Sequence, residues 1–210
     1  GILGMSCNGA FDTIAQTLNS TKWQKLAEDF GYNQSDRSQV DFAYKKSHFD
    51  IASDDSVWSR MQLAIGQGTT TVTPLLNLMM YAAIANDGVM MTPYLVDHYL
   101  DANGNVVEQT KPKALRSVCT KAEAELMDEF LTYVITNGTA AAGGSQYARV
   151  SGKTGSAQYD STKNYHAWFC GYGTNDVSEI AVCVMIEKGG AGGIVAAPVA
   201  GQIFDYYFSR

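Results

Sequence analysis

Four consecutive residues, Lys153-Thr154-Gly155-Ser156, put a fixed positive charge, two hydroxyls and one position without a side chain within reach of a single ligand. They sit in the run from Arg149 to Tyr159, where Val150 and Tyr159 favour an extended backbone. On an edge strand such a set can take up an anionic, peptide-like ligand. The ligand's main chain would pair with the strand, Lys153 and Thr154 would meet its carboxylate, and Gly155 would leave room for another backbone to approach. Taken alone, the tripeptide is also what a surface lysine before a turn glycine looks like. A second polar group, Ser6-Cys7-Asn8, lies far upstream at the head of an apolar helical pattern. There Ser6 could equally serve as a helix N-cap, and Asn8 as a cap or turn residue.

Between these groups lies Ala64-Ile-Gly-Gln-Gly-Thr-Thr-Thr-Val-Thr-Pro74, and after them His166-Ala-Trp-Phe-Cys-Gly-Tyr172. In this order the four segments resemble the transpeptidase domain of penicillin-binding proteins, serine acyltransferases whose motif set is Ser-x-x-Lys, Ser-x-Asn and Lys-Thr-Gly. Gly66-Gln67-Gly68 and Thr73-Pro74 look more like the monofunctional, class B members. The resemblance runs from about Ser6 to the C-terminal helix. It implies cross-linking of peptidoglycan through a serine ester. A D-Ala-D-Ala stem peptide acylates the serine and loses its terminal D-Ala, and the amine of a neighbouring stem then takes the acyl group. Ser6 and Lys153 would be catalytic: Ser6 passes a proton to the leaving nitrogen, and the charge of Lys153 favours that transfer while attracting the substrate carboxylate. Asn8, Thr154, Gly155 and Ser156 would bind substrate. Asn8 holds its amide, Thr154 its carboxylate, and Ser156 gives a backbone N–H to the oxyanion. Stem peptides and β-lactam antibiotics are the implied ligands, and no cofactor or metal is implied.

A serine hydroxyl needs a base to act as nucleophile, and in this family the Ser-x-x-Lys lysine is the usual candidate. The chain contains no Ser-x-x-Lys. The third residue after Ser20 is Trp23, after Ser47 it is Asp50, and Thr110-Lys-Pro-Lys113 has the spacing but follows Ser6 instead of preceding it. In the family the nucleophile precedes Ser-x-Asn by roughly fifty to sixty residues. Only five residues precede Ser6 here. The expectation is a single domain over 1–210 corresponding to the C-terminal two-thirds of a transpeptidase domain, with the N-terminal nucleophile segment as an absent partner. The parent protein would be anchored by an N-terminal segment at the extracytoplasmic face of the bacterial cytoplasmic membrane.

These residues must be positioned by elements that the pattern also predicts. Phe11, Ile14, Ala15 and Leu18 share a helical face directly after Ser-x-Asn. A second helix is capped by Ser20 or Thr21, turns Trp23, Leu26, Ala27 and Phe30 inward, and stops at Gly31. Residues 32–56 read as a long loop. Thr73-Pro74 opens a helix to about Asn86 that is apolar nearly all round and should be buried. Segments 94–100 and 105–109 flank the hairpin signal Asn103-Gly104. Thr120 and Glu123 form a capping box for a helix to about Thr136. Strands follow over the Lys-Thr-Gly run, 166–172 and 180–186, and a helix over 196–208 closes the chain. The fold class is α+β, an antiparallel sheet flanked by helices, as in serine β-lactamases and penicillin-binding transpeptidases. The family's sheet has five strands, and two of them would come from the absent N-terminal part. An exposed apolar edge along Ile180, Val182, Val184 and Ile186, and apolar surface of the helix over 75–85 uncovered by the absent segment, are therefore expected to drive self-association.

Composition narrows the function classes. Of 210 residues, 46% are hydrophobic and 17% charged, which suits a globular chain with a sizeable core. A net charge of −6 without a basic run argues against nucleic acid as a partner. The four cysteines, Cys7, Cys119, Cys170 and Cys183, have no metal-ligand spacing. Cys170 and Cys183 read as small buried hydrophobes, and a disulfide between them requires their strands to be neighbours in register. Gln67 either lines the groove or braces a tight loop. His48, His98 and His166 are scattered, so no histidine-based triad is supported. Two other functions fit the same motifs: a non-catalytic module that binds peptidoglycan or β-lactams, and a D,D-carboxypeptidase that uses water in place of the amine.

Overall fold

The computed structural model describes residues 1–34, 40–160, 162 and 164–210. Four helices come first: α1 (Asn8–Ala15), α2 (Ser20–Asp29), α3 (Val57–Ala64) and α4 (Pro74–Ala85). Two small hairpin-like pairs follow, β1 (Val89–Met91) with β4 (Ala114–Ser117) and β2 (His98–Leu100) with β3 (Val106–Gln109), all antiparallel. Helix α5 (Lys121–Asn137) then leads through a short 3₁₀ turn into the main sheet. That sheet is a meander of β5 (Arg149–Gln158), β6 (Tyr165–Thr174) and β7 (Glu179–Ile186) in the order β5-β6-β7, and α6 (Gly192–Phe208) ends the chain.

The α+β architecture expected from the pattern is observed. The Lys-Thr-Gly run forms an edge strand, since among the described residues β5 has a single neighbour in the sheet. Helix α6 packs Phe204 and Phe208 onto the sheet face bearing Phe169 and Val182. Small residues let it come close: Gly192, Ala196, Ala197, Ala200 and Gly201 are all buried. A Cβ on Gly192 would collide with the carbonyls of Gly155 and Trp168, so glycine is what allows the start of α6 to rest on the middle of β5. The opposite face receives α5, whose Asp128 and Thr132 hydrogen-bond the buried Ser151 of β5.

Helix starts follow the sequence signals closely. Thr73 caps α4 through Leu76 N, with Pro74 as its first residue, and Thr120 and Glu123 complete a reciprocal capping box on α5. Helix α2 differs in detail. Its cap is Asn19, whose side chain accepts from Lys22 N, so Ser20 is the first helical residue. Ile14, Leu18 and Leu26, expected to face inward, are exposed, and only Ala15 of the α1 face is fully buried. The strand predicted over 94–100 is confined to 98–100 because the N–H groups of Leu95 and Val96 are taken by the Asp41 carboxylate. Among the described residues of the 32–56 stretch there is no helix or strand beyond an isolated bridge from His48 to Thr71, and residues 35–39 lie outside the described set.

The apolar surface of α4 is partly uncovered, as the absent segment implies, and the exposed row expected on β7 is corrected. Helix α4 is less enclosed than its composition predicts. Only Leu76 and Ala83 are fully buried, and Met80, Tyr81 and Ile84 line an apolar groove of about 360 Å³ shared with Trp23, Phe30 and Leu131. On β7, Ile180, Val182, Val184 and Ile186 do not form an exposed apolar row. They pack into the cluster under α6, so what the outer side of β7 presents is its backbone.

Candidate active site

Strand β5 and the turn before α1 meet at one cavity of about 750 Å³. All six residues singled out from the sequence line it: Ser6, Asn8, Lys153, Thr154, Gly155 and Ser156. Residues 147 positions apart are thus brought into contact. Lys153 Nζ donates to Ser6 Oγ at 2.9 Å and to the Thr154 carbonyl at 2.7 Å. Burial pushes the Lys153 ammonium below the usual lysine range, because a partly desolvated charge is less favourable than one in water.

The turn that presents Ser6 is held by the backbone. Ser6 N donates to Leu3 O at 3.1 Å and Cys7 N to Ile2 O at 3.2 Å, and Ser6 itself takes the left-handed conformation with φ 50°. The residue capping α1 is Cys7, without a side-chain hydrogen bond. Ser6 is therefore not the helix cap, and its hydroxyl turns to Lys153. Asn8, the first residue of α1, is carried to the cavity wall by the same turn.

The phase of β5 shows which backbone groups face the open edge. In an antiparallel strand each residue's N–H and C=O point to the same side, and successive residues alternate. With its amide oriented to match, the Gln67 side chain donates to Gln158 O and accepts from Gln158 N, both at 3.2 Å, on the side away from β6. The Thr154 carbonyl, bonded by Lys153, lies on that side too. Ser156 falls between them in the same phase, so its N–H and C=O face the cavity. Its hydroxyl is turned elsewhere and accepts from Gly192 N at 3.1 Å, tying β5 to the start of α6. Gly155 is not required by crowding within the chain: an added Cβ would meet only Trp168 Cβ, at 3.4 Å. The space it leaves belongs to the cavity.

Of the two sequence readings of Gln67, lining the cavity is observed, and its side chain bonds the far end of the strand edge instead of its own loop. Thr139, Gln158 and Tyr165 also line the cavity and were not anticipated. Thr139 lies in the small-residue stretch after α5 and reaches Thr154 Oγ1 at 3.1 Å, a contact that no local pattern announces. His166 is a strand-end residue, as expected. It stacks on Tyr159 with ring centroids 4.4 Å apart and accepts from Lys188 N.

Lys153 should lose its proton at a lower pH than the ordinary lysine value of about 10.4. Since the unfolded chain then binds more protons than the folded one between the lowered and the ordinary value, stability should rise with pH across that interval. Dimethylation with labelled formaldehyde and NMR titration would report the Lys153 signal directly. A midpoint at the ordinary value would show that its charge is fully solvated.

An antiparallel sheet with α6 on one face and α4 and α5 on the other, and a lysine–serine pair in a cavity at its edge, describes a layered α+β domain. The profile of the penicillin-binding protein transpeptidase domain matches residues 1–205, and the chain belongs to that family. It is 28% identical over 203 residues to the peptidoglycan D,D-transpeptidase PbpA of Mycolicibacterium smegmatis, covering 92% of this chain and 40% of that protein. The D,D-transpeptidase domain of a peptidoglycan glycosyltransferase from Eggerthella lenta superposes with a TM-score of 0.85 at 28% identity, covering 97% of this chain and 51% of the other. Penicillin-binding protein 3 of Mycobacterium tuberculosis, solved in complex with ampicillin, superposes with a TM-score of 0.83 at 25% identity over 100% of this chain and 50% of that one. The chain thus spans about half or less of the length of these relatives.

Proposed function

We propose that this chain supplies the proton-transfer and substrate-binding side of a class B peptidoglycan D,D-transpeptidase, which cross-links D-Ala-D-Ala stem peptides through a serine acyl-enzyme and is acylated by β-lactams. The observation that carries this reading is the 2.9 Å hydrogen bond from Lys153 to Ser6 beside an open strand edge. The name of the PbpA relative and the ampicillin complex of the penicillin-binding protein 3 relative support it.

In this reading the stem peptide adds to the edge of β5 and pairs with the outward groups of Thr154 and Ser156. Lys153 and Thr154 meet its carboxylate, and Asn8 holds its amide. As the nucleophile attacks the scissile carbonyl, the Ser156 N–H stabilises the oxyanion. Ser6 gives its proton to the leaving nitrogen as the C–N bond breaks, and Lys153, already hydrogen-bonded to Ser6, replaces that proton. The nucleophile belongs to polypeptide outside these 210 residues, because no serine here has a lysine three positions on. The apolar groove that opens beside Lys153 between α4 and α2 is suited to receive such a segment. Residues 1–210 then form one domain with it. The protein acts at the extracytoplasmic face of the bacterial membrane, anchored by a segment other than these residues. Among the described residues no helix is long and apolar enough to cross a membrane.

Mass spectrometry after incubation with a β-lactam tests the proposal. The full-length protein should acquire one covalent adduct on the serine of its Ser-x-x-Lys, and the 210-residue chain should acquire none. A stoichiometric adduct on Ser6 of the isolated chain would overturn the assignment of roles. The isolated chain should also self-associate, since β7 offers a row of unpaired backbone groups on its outer side and α4 an uncovered groove. Sedimentation at micromolar concentrations should show species larger than the monomer, and a monodisperse monomer would contradict this.

A further inference from the structure

Two thiols that the proposed reaction does not use stand face to face in the sheet. Cys170 of β6 is directly opposite Cys183 of β7, and their sulfurs are 3.0 Å apart, with Cys170 donating its S–H to Cys183. Among the described residues no third His, Cys, Asp or Glu joins them in a metal-binding group. Opposed residues of an antiparallel pair hold their Cβ atoms about 4.5–5.5 Å apart, and a disulfide needs about 3.5–4.5 Å. A small inward shift of β7, which has no neighbour on its other side among the described residues, closes that gap.

We propose that Cys170 and Cys183 are a reversible dithiol–disulfide site, closed by exchange with a low-molecular-weight disulfide. Cys183 is the attacking thiol. It is the more accessible of the two, and the hydrogen bond it accepts from Cys170 lowers its pKa and raises that of Cys170. Its thiolate attacks one sulfur of the external disulfide and releases one small thiol. Cys170 then gives up its proton and attacks the sulfur of Cys183, forming the cross-strand bond and releasing the second small thiol. Two protein thiols are oxidised and one external disulfide is reduced to two thiols.

The site matters because of its position in the register. Lys153 of β5 is opposite Cys170, so Lys153, Cys170 and Cys183 form one row across the sheet. Drawing β7 toward β6 pulls on the strand that backs Lys153. The bond itself does not depend on the proposed acyl-transfer function.

The 210-residue chain, first reduced and then exposed to 2-hydroxyethyl disulfide, should lose two hydrogen atoms in intact mass. Two of its four cysteines should resist alkylation. Peptide mapping should recover a fragment linking Cys170 to Cys183, and dithiothreitol should restore both thiols. Cys183→Ser should abolish the loss of two hydrogens. The proposal is overturned if Cys170 and Cys183 alkylate equally with and without the oxidant, if the linked fragment contains Cys7 or Cys119, or if the Cys183→Ser chain still closes an intramolecular bond.

Discussion

Lys153→Ala in the full-length protein is expected to slow acylation by a β-lactam by about two orders of magnitude or more, equivalent to about 3 kcal/mol of transition-state stabilisation. Two losses combine. The ligand carboxylate forfeits a charge-assisted hydrogen bond, and Ser6 loses the donor that holds its hydroxyl at 2.9 Å and replaces its proton. The ammonium is also partly desolvated, which strengthens its field at the reacting atoms relative to a lysine in water. Stopped-flow measurement of acylation separates this from the alternative. A lysine that merely decorates the surface would leave the rate within about a factor of two.

A second large effect is expected away from the cavity. Asp128 of α5 accepts from Tyr172 Oη at 2.6 Å, from Ser151 Oγ at 2.7 Å and from Arg149 at 2.6 Å. Arg149 also donates to Thr132, whose hydroxyl meets that of Ser151, so the network closes on itself. It fastens α5 to β5 two residues before Lys153. Asp128→Ala leaves the buried Ser151 and the Tyr172 hydroxyl without their acceptor, and should cost on the order of 3 kcal/mol. Burial acts most strongly on the Asp128 carboxyl and would raise its pKa. The hydrogen bonds from Tyr172, Ser151 and Arg149 together outweigh it and hold the group below the usual carboxylate range. A carboxyl lowered on folding contributes its stability fully above the ordinary value of about 3.9 and loses it as pH falls through the lowered one. Urea denaturation at low protein concentration should therefore show a large deficit for Asp128→Ala at neutral pH that shrinks in strong acid. A deficit independent of pH would point to packing alone.

The elements legible in the sequence were those whose signals are local. Thr73-Pro74, the Thr120–Glu123 capping box and Asn103-Gly104 each fix a backbone geometry within a few residues, and α4, α5 and the β2–β3 hairpin follow from them. Helix α3 was not legible because its bulkiest apolar residues are not the ones it buries, and only Leu63 is fully enclosed. Val57 and Trp58 are exposed, and the helix is held by Arg60, which reaches the carbonyls of Ala15 and Leu18 at 2.7 and 2.9 Å. The β1–β4 pair joins strands of three and four residues across an intervening hairpin, too short for alternation to show. At the cavity, the motif residues were legible because their chemistry is written in their types. Thr139 and Gln158 were not, since each acquires its place only when β5 is laid against the rest of the chain.

The backbone at Ser6 has an evolutionary implication. Its left-handed conformation costs a serine roughly 1–2 kcal/mol, whereas glycine enters that region freely and asparagine at less expense. Under the proposed acyl-transfer function, exchanging this residue for glycine would gain that folding stability and give up the hydroxyl that Lys153 bonds. On that proposal, a serine kept here against that gain is held by the need for a hydroxyl beside Lys153. A relative with glycine here would, on the same proposal, be expected to have lost this proton relay.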